Sequence, residues 1–423
     1  MDYSKLLAQA IADAAGLAAE EIASWIEVPA DETLGDYAFP CFKLAKTLRK
    51  APPAIAAEIA GKLVKPGFVS EVRVVGAYIN FFLDRVTLAR QTLEDVFEQG
   101  DAYGSSDKGA GRVVCIDYSS INIAKPFHIG HLSTTVIGNA LYRIYGFLGY
   151  KPVGINHLGD WGTQFGKLIV AYKLWGSRED IEARSITAML ELYVKFHEEA
   201  EKDPALDEQA RLWFKKIEDG DEEALSIFNW FKELTLKEVG KIYDLLGVHF
   251  DSYAGESFYN DKMQPVIDEL KEKGLLEFSE GAYVVRLGDD LPPCIVLKSD
   301  GATLYSTRDL AAAFYRKKTY DFHKCLYVVA YQQNLHFKQV FKVIELMGYG
   351  WAKDLEHVAF GMVSLEDGTL STRKGKVVLL KDVLDKAVEK TLSIIEEKSP
   401  GLENKEEVAK TVGIGAVVFD TLS

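Results

Sequence analysis

The sequence predicts an α/β protein with a parallel sheet, preceded by a smaller α/β unit. From Arg112 onwards, short apolar runs alternate with stretches of helical spacing, which is typical of parallel strands joined by crossover helices. A long acidic helical stretch interrupts this alternation between about residues 176 and 290. The first hundred or so residues have a pattern of their own, and a chain of 423 residues exceeds one ordinary core.

The small unit is expected over residues 1–104. Apolar residues at helical spacing, beginning with Leu6 and Ile11, predict its first helix, and Pro53 is suited to open another. The segment VRVVGAYINFFL is rich in strand formers, and the helix RVTLARQTLEDVFEQG ends at Gly100. The polar, Gly/Ser-rich stretch DAYGSSDKGAG then predicts a linker.

The parallel sheet is expected over residues 112–380. The segments VVCI and KPVGINH predict two strands, each followed by a helix. After the helical insertion, CIVLKSDGATLYSTRD resembles a hairpin, while CLYVVAY and HVAFGMVSL predict two more strands. A Rossmann-like sheet of this kind binds ligands at the carboxyl ends of its strands, where the chain order reverses. Residues 381–423 are expected to begin a helical stem.

The composition is that of a soluble globular protein, with 48% apolar and 26% charged residues. A net charge of −14 argues against nonspecific coating of nucleic acid, although an acidic protein can still carry a local basic strip. No apolar run reaches membrane-spanning length, and the N-terminus lacks the pattern of a signal peptide. The four cysteines are scattered. We therefore expect a cytoplasmic protein with no membrane contact.

The stretch AKPFHIGHL places two histidines, His128 and His131, around Gly130 at a strand-to-helix junction. A metal site would need further ligands, and no HExxH or similar cluster is nearby. The two histidines could be structural, one capping the helix and one half-buried. The third interpretation is a phosphate site, because a helix N-terminus, imidazoles and Lys125 meet there. Gly130 would also let a flat base lie against the backbone.

A second motif, TLSTRKGKVV, follows the last predicted strand. Its cations Arg373, Lys374 and Lys376 stand in a Ser/Thr/Gly loop between a strand and a helix. Alone, such a charge run is usually a solvated loop. Together with the histidine pair in one sheet, it indicates a loop that closes over a triphosphate.

These two motifs resemble the HIGH and KMSKS signatures of the class I aminoacyl-tRNA synthetases. The segments NHLGDWGTQFGKL, DGATLYSTRDLAAA and VVAYQQNLHF are similar to blocks of the arginyl-tRNA synthetases, in that family's order. The opening residues, with GDYAFP and GAYINFFL, resemble the N-terminal tRNA-contacting domain of the same family. The resemblance covers nearly the whole chain.

The resemblance implies activation of L-arginine by ATP with Mg²⁺, release of pyrophosphate, and transfer of arginine to the 3′ end of tRNA(Arg). It assigns catalysis to Lys125, His128, His131, Arg373 and Lys374. It assigns ATP binding to His128, Gly130, His131, His336, Gly361, Met362, Val363 and Ser371. No metal-binding residues are implied. A monomer is expected.

The resemblance also implies an arginine pocket and a tRNA contact. The arginine-binding residues would be Asp117, Asn122, His157, Tyr305, Asp309 and Gln333. Asp309 suits the guanidinium, because a planar carboxylate can accept from it bidentately. Without the family, Tyr305 and Asp309 could equally be a strand aromatic and a helix N-cap. Tyr78 and Asn80, on one face of a strand, would contact the tRNA elbow. Asp160, Trp161 and Gln164 would line the crevice or hold its loop.

The sequence departs from the family pattern at three places. Thr372 stands near the second lysine of KMSKS, and Lys125 is the family's usual substitute for that missing cation. Ile121 and Ser133 replace a frequent proline and arginine. The chain stops at VGIGAVVFDTLS, where the family continues into an anticodon-binding domain, so we expect a catalytic fragment.

Two rival functions share part of this pattern. A smaller adenylyl- or nucleotidyl-transferase would have HxGH without the DGATLYSTRD block. A non-catalytic synthetase-like protein could bind tRNA or sense arginine, but it would not need Lys125 and both histidines.

Overall fold

The computed structural model describes residues 2–361 and 378–423. The chain divides into two units, one ending at Ser105 and one of Ser106–Ser423. Each unit has its own apolar core. No helix within the described residues is both long enough and apolar enough to cross a bilayer.

The first unit is a three-stranded antiparallel sheet with helices. Its helices are α1 (Tyr3–Ala15), α2 (Ala19–Ala23), α3 (Ala45–Leu48), α4 (Pro52–Lys62) and α5 (Arg85–Gln99), and its strands are β1 (Tyr37–Pro40), β2 (Val69–Val75) and β3 (Tyr78–Leu83). The strand order is β1-β3-β2. The segment VRVVGAYINFFL thus forms two paired strands, with Val75 opposite Tyr78.

The second unit is built on a four-stranded parallel sheet. The strands are β4 (Val113–Asp117), β5 (Lys151–Ile155), β9 (Lys324–Ala330) and β10 (Leu355–Phe360), in the order β10-β9-β4-β5. Two helices cross over around them, α6 (Leu132–Phe147) after β4 and α14 (Asn334–Leu346) after β9. The predicted α/β class with a parallel sheet is confirmed.

The helical insertion lies between β5 and β9. It comprises α7 (Thr163–Trp175), α8 (Arg178–Arg184), α9 (Ile186–Ala200), α10 (Ala205–Glu218), α11 (Glu222–Leu246) and α12 (Met263–Glu272). A small antiparallel sheet of β6 (Leu276–Ser279), β7 (Ala282–Val285) and β8 (Cys294–Lys298) follows, and then α13 (Tyr305–Tyr320). The last helices are α15 (Leu380–Lys398) and α16 (Lys405–Leu422).

The expected hairpin in CIVLKSDGATLYSTRD is wrong in its second half. β8 pairs with the preceding strand β7, and the residues from Tyr305 onwards form α13. The Leu304 N–H donates to the Thr307 hydroxyl at 3.3 Å, so a side chain of the first turn caps the helix. Only a single bridge, between Leu297 and Thr303, remains of the hairpin.

Side chains of the central strand β4 alternate between two cores. Val114 and Ile116 face the core that contains α6, α7 and α11, whereas Cys115 faces the core that contains α12, α13 and α14. This alternation follows from the two-residue period of a strand. From β4 the chain crosses to β5 on one side, while β9 lies on the other side, so the crevice opens at the carboxyl ends of β4 and β9.

Candidate active site

A cavity of ≈ 330 Å³ lies at this crevice. It is lined by residues from the loops after β4, β5 and β9 and from the start of α13. Seven residues expected from the sequence meet in it: Asp117, Asn122, His157, Tyr305, Asp309, Gln333 and His336. Residues separated by more than two hundred positions are thus brought to one site. The residues His128, Gly130 and His131 are not among those that line this cavity.

Asp309 is the carboxylate best suited to bind a substrate cation. It lies in the second turn of α13, and its Oδ2 accepts a hydrogen bond from His336 Nε2 at 2.6 Å. Burial raises the pKa of Asp309, but the hydrogen bond and the nearby His336 and His157 outweigh it and hold that pKa below its usual value. The ring of Tyr305 lies 4.8 Å from the ring of His336. The cavity therefore contains an ionised, oriented carboxylate beside an exposed aromatic ring.

His336 differs in place from the sequence expectation. It was expected in the ATP site, whereas the structure places it in the cavity with its imidazole on Asp309. Because α14 begins directly after the turn that follows β9, its first residues face the crevice beside the first turns of α13. The sequence spacing could not distinguish the two ends of the crevice.

Asp117 ends β4 at the cavity wall, but its charge is already paired within the protein. Its Oδ2 lies 2.7 Å from Arg316 Nη2, and both side chains are almost completely buried. Its Oδ1 accepts a hydrogen bond from the Ser120 hydroxyl at 2.8 Å. A buried ion pair of this kind fixes the positions of its two side chains and leaves no unpaired charge for a substrate. Of the two carboxylates, Asp309 is therefore the one more available to bind a substrate cation.

Asn122 reaches the cavity because Gly159 has no side chain. The two residues form a bridge between the loops after β4 and β5, and a Cβ on Gly159 would lie 2.4 Å from Asn122 Oδ1. The Gly159 N–H donates to the Ile121 carbonyl at 2.8 Å, and the Ile123 N–H donates to the Gly159 carbonyl at 3.1 Å. The two loops are therefore locked together beside the cavity.

Four residues after β5 were named from the sequence: His157, Asp160, Trp161 and Gln164. Of these, only His157 lines the cavity. Its Nδ1 lies 3.3 Å from Arg316 Nη2, and burial lowers its pKa. Asp160 is completely buried. Its charge is neutralised by Lys232 at 2.5 Å, and its carboxylate oxygens accept hydrogen bonds from the N–H and the hydroxyl of Ser257. Trp161 packs on Phe214 with ring centres 5.2 Å apart. Asp160 therefore holds the loop.

The histidine motif forms a 3₁₀ turn, Ile129–His131, that leads into α6. His128 Nδ1 accepts a hydrogen bond from the Gly130 N–H at 3.1 Å, and His131 Nδ1 accepts one from the His128 N–H at 3.3 Å. Since each Nδ1 is an acceptor, the proton of each neutral ring is on Nε2. The turn therefore presents two N–H donors on rings only 4.0 Å apart.

Both histidines are neutral in this turn. Burial and the neighbouring His128 lower the pKa of His131 to about 3, while burial and Lys125 lower the pKa of His128. Two cationic rings at this distance, beside a lysine, would repel each other. Among the described residues of the motif, Lys125 therefore supplies the positive charge.

The residues after the second motif are joined to the histidine turn. The Ile129 N–H donates to the Val378 carbonyl and the Leu380 N–H to the Phe127 carbonyl, each at 3.0 Å. Gly361 follows β10 at the same end of the sheet, and a Cβ there would meet open space. The expected ATP-binding residues Met362, Val363 and Ser371 lie outside the described residues. So do Thr372 and the expected catalytic residues Arg373 and Lys374.

Sequence reasoning missed two charged residues of the cavity, Glu256 and Arg308. Burial raises the pKa of Glu256 to about 7; Arg308 lowers it, and Asp309 and Asp160 raise it further. Arg308 Nη2 lies 3.3 Å from Asn260 Oδ1. Arg308 stands beside Asp309 in the DGATLYSTRD block, which was a usable signal. Glu256 lies within the helical insertion, between α11 and α12, and had no such signal.

The two residues expected to contact tRNA differ in exposure. Tyr78 is 36% exposed, and its ring lies 5.8 Å from that of Phe42, over which Lys43 is placed. Asn80 is only 2% exposed. Residues two apart do share a face of β3, but Asn80 lies on the middle strand of the sheet, opposite Ala38 on β1 and Arg73 on β2. Only Tyr78 is therefore available at the surface.

Within residues 2–361 and 378–423, no three His, Cys, Asp or Glu side chains are grouped so that they could hold a metal ion. The histidine pair therefore lacks the further protein ligands that a zinc site requires.

Comparison with known proteins identifies relatives over the whole chain. Residues 92–423 match the family described as tRNA synthetases class I (R), catalytic domain, and residues 1–83 match the Arginyl tRNA synthetase N terminal domain. An arginine–tRNA ligase of Alkaliphilus metalliredigens is 59% identical over 96% of this chain and 72% of its own. One of Clostridium perfringens is 57% identical over the full chain and 75% of its own.

Solved structures agree with this assignment. The arginyl-tRNA synthetase of Thermus thermophilus has a TM-score of 0.74 and 25% identity over 98% of this chain and 74% of its own. That of Plasmodium falciparum has a TM-score of 0.69 over 93% of this chain and 68% of its own, and at 22% identity it supports the fold alone.

Proposed function

The chain belongs to the class I arginyl-tRNA synthetases and is an arginine–tRNA ligase, and we propose that the cavity between β4, β9 and α13 is its arginine pocket. In this reaction the carboxylate oxygen of arginine attacks the α-phosphorus of ATP, and the bond to pyrophosphate breaks. A ribose hydroxyl at the 3′ end of tRNA then attacks the arginyl carbonyl and releases AMP. No covalent bond to the protein is needed, so positioning and charge stabilisation supply the catalysis.

Asp309 is the residue that carries this assignment. Its carboxylate accepts from the substrate guanidinium, since a planar fork of N–H donors matches a carboxylate bidentately. His336 donates to Oδ2 and so orients the carboxylate before the substrate arrives. The exposed ring of Tyr305 offers a face on which the guanidinium can stack. We therefore assign His336 to the positioning of Asp309 rather than to ATP.

The remaining polar groups of the cavity suit the α-amino end of arginine. Asn122 and Gln333 offer amide oxygens, and Glu256 offers a second carboxylate at the wall. Asp117 is neutralised by Arg316, and Asp309 and Arg308 contribute one negative and one positive charge to the cavity. A substrate with a net charge of +1 therefore gains most when Glu256 is ionised. His157 lines the same cavity and contacts Arg316.

The histidine turn and Lys125 act on the phosphates. His128 and His131 donate through Nε2–H to phosphate oxygens, and Lys125 supplies the positive charge that meets the charge developing on the phosphate. Gly130 and Gly361 leave room for the base. Ser371, Arg373 and Lys374 would close over the pyrophosphate, and Met362 and Val363 would line the base pocket.

The other partners follow from the same premise. We propose that Mg²⁺ enters with the phosphates of ATP, because Mg²⁺ commonly keeps waters and substrate phosphates as ligands. Tyr78 offers an aromatic platform for an unpaired tRNA base.

The four free thiols fit a reducing, cytoplasmic location. We propose a monomer, which size-exclusion chromatography with light scattering would test.

The direct test of function is ATP–pyrophosphate exchange in the presence of tRNA(Arg). We expect exchange that requires L-arginine and that L-citrulline, which lacks the guanidinium charge, does not support. A nucleotidyl-transferase would show no arginine dependence. A non-catalytic arginine sensor would bind L-arginine in calorimetry and show no exchange.

A further inference from the structure

One face of the insertion helix α11 holds the loops that form the active site. Lys232, Thr235 and Tyr243 lie on the buried side of this helix, at spacings of three and eight residues. Lys232 pairs with Asp160 in the loop after β5 at 2.5 Å. Thr235 and Tyr243 reach the loop after β4, which runs from residue 118 to residue 127. The catalytic loops therefore rest on a helix outside the sheet.

The loop after β4 needs such support because of its backbone. Ser119, Ser120 and Ala124 have φ values of 69°, 45° and 60°, which are in the left-handed region. Non-glycine residues rarely adopt this conformation, and a loop with three of them keeps it only where surrounding contacts hold it. Asn122, which lines the arginine pocket, and Lys125 lie on this loop.

A chain of hydroxyls connects Tyr243 with the histidine motif. Asn156 Nδ2 lies 2.9 Å from the Tyr243 hydroxyl, which lies 2.7 Å from Ser119 Oγ. Ser119 Oγ lies 2.9 Å from Thr135 Oγ1, which lies 2.7 Å from the carbonyl of His131.

Because each hydroxyl has one proton, the hydrogen bonds of this series can run in only one direction. A carbonyl can only accept, so the one proton of Thr135 points to His131. Ser119 then donates to Thr135, and Tyr243 donates to Ser119 while it accepts from Asn156. Burial raises the pKa of Tyr243, so its hydroxyl keeps the proton that the chain requires.

The second support is the Thr235 hydroxyl. It accepts a hydrogen bond from the Ala124 N–H at 3.1 Å and donates to the Phe231 carbonyl of its own helix at 2.8 Å. Thr235 and Tyr243 are both buried. The Ala124 N–H directly precedes Lys125, so this bond fixes the backbone from which that lysine extends.

We propose that Thr235 and Tyr243 are positioning residues for adenylate formation: from the insertion helix they hold the loop after β4 and the histidine turn in their catalytic arrangement. The inference rests on the proposed function, since it concerns how that site is assembled. Neither residue lines the arginine pocket, whereas Asp309 is on α13. Loss of either hydroxyl should therefore slow the chemical step more than it weakens arginine binding, because Asp309 is held on α13 whereas Asn122 lies on the supported loop.

The test uses the conservative variants Tyr243→Phe and Thr235→Val in ATP–pyrophosphate exchange with tRNA(Arg). We expect kcat to fall about 10- to 100-fold, as for a small displacement of catalytic groups, with the Kd of L-arginine by calorimetry within about threefold of wild type. Thermal unfolding monitored by circular dichroism shows whether each variant is folded at the assay temperature. If Tyr243→Phe is not folded at the assay temperature, the test uses Thr235→Val only.

Matched controls remove similar hydrogen bonds elsewhere. Thr391→Val loses the same bond to a carbonyl four residues back, here Ala387, and Tyr349→Phe loses a bond to Glu269. We expect both to keep wild-type kcat within about twofold. Equal kcat in test and control variants would overturn the proposal. So would a Kd for L-arginine that rises as much as kcat falls, because that result indicates general loss of the site.

A double variant tests the connection to the histidine turn. If Tyr243 acts through Ser119 and Thr135, Tyr243→Phe combined with Thr135→Val should lower kcat little more than the larger single loss. If the fold-loss of kcat in the double variant equals the product of the two single losses, the two residues do not act through the same hydrogen bonds. A wild-type protein without arginine-dependent exchange would instead refute the proposed function, so the two failures are distinguishable.

Discussion

Asp309 and Glu256 are two carboxylates of one cavity in different electrostatic states. His336 donates a hydrogen bond to Asp309 and keeps it ionised, whereas burial brings the pKa of Glu256 to about 7. In the proposed pocket, L-arginine, with its two cationic ends, would therefore meet one permanent negative charge and one that depends on pH. This difference separates two predictions for binding.

Replacing Asp309 by Asn should remove arginine binding. The variant keeps the shape of the side chain but loses a charge-assisted pair of hydrogen bonds, each worth about 1.5–3 kcal/mol. We expect the Kd of L-arginine in calorimetry to rise at least about 100-fold. Asp321→Asn, at the left-handed C-terminal residue of the same helix, is the control and should bind normally. Wild-type affinity in Asp309→Asn would remove Asp309 from the guanidinium site.

Arginine affinity should increase with pH near neutrality. Glu256 is uncharged below about pH 7 and ionised above it, while the charge of free L-arginine changes little over that range. We expect the Kd to fall several-fold between about pH 6 and pH 8 in wild type and to stay level in Glu256→Gln. Calorimetry in buffers of different ionisation enthalpy would also show proton release. The same slope in both proteins would exclude Glu256 as its source.

Lys125→Ala and His131→Ala should affect chemistry more than binding. Each removes one contact to the charge that develops in the transition state, which is worth roughly 10- to 1,000-fold in rate. We expect adenylate formation to slow by such a factor while the Kd of L-arginine is unchanged. Lys318→Ala, at an exposed position of α13, is the control for loss of a lysine. Full activity of both test variants would make the turn structural.

At the scale of elements, two loops from neighbouring strands lock together beside the cavity. The bridge between Asn122 and Gly159 places an amide side chain at the wall, and only glycine leaves space for it. The loops after β4 and β5 therefore act as one unit, so that a change in one should move a ligand contact of the other.

Gly159→Ala should raise the KM for L-arginine about tenfold or more, because its Cβ would lie 2.4 Å from Asn122 Oδ1 and displace the amide. Gly240→Ala on α11 meets no atom within 4 Å and should be neutral or more stable, by up to about 1 kcal/mol. Steady-state exchange kinetics on both variants, with urea unfolding, gives the comparison. An unchanged KM in Gly159→Ala would mean that Asn122 does not contact the substrate.

Periodicity and motifs predict the local parts of this site, and the family resemblance adds the distant residues Tyr305, Asp309 and Gln333. Other distant residues had no signal in the sequence. The strand, histidine turn and helix follow one another along the chain, so periodicity and motif together predict them. Glu256, Thr235 and Tyr243 all belong to the insertion. They meet residues of the loop after β4, more than a hundred positions earlier in the chain. Only tertiary packing brings them there. The hairpin expected before Tyr305 failed for the same reason, since β8 pairs with the preceding strand β7.

At the scale of the whole molecule, the two units have separate cores. Among the residues that the structure describes, the buried core of the first unit runs from Leu7 to Phe81, and the buried cores of the second begin at Val114 and Cys115. All residues that line the proposed arginine pocket belong to the second unit. Ligand binding should therefore stabilise the second unit alone.

Phe39→Ala tests this independence. Phe39 is completely buried in the first core, and its truncation should destabilise that unit by about 3–5 kcal/mol. We expect the Kd of L-arginine to stay within about twofold of wild type. The variant should also keep the unfolding transition of the second unit, and L-arginine should raise the midpoint temperature of that transition. Differential scanning calorimetry with and without L-arginine measures both. A parallel loss of arginine binding would show that the units unfold together.

The central claim is that one arginyl-adenylate spans Asp309 and the histidine turn. The most direct measurement is a crystal structure with a non-hydrolysable arginyl-sulfamoyl-adenosine. The account predicts the guanidinium within hydrogen-bond distance of Asp309, and the sulfamoyl group and adenosine of the same molecule against His128 and His131. A ligand that contacts the turn while its guanidinium lies away from Asp309 would contradict it.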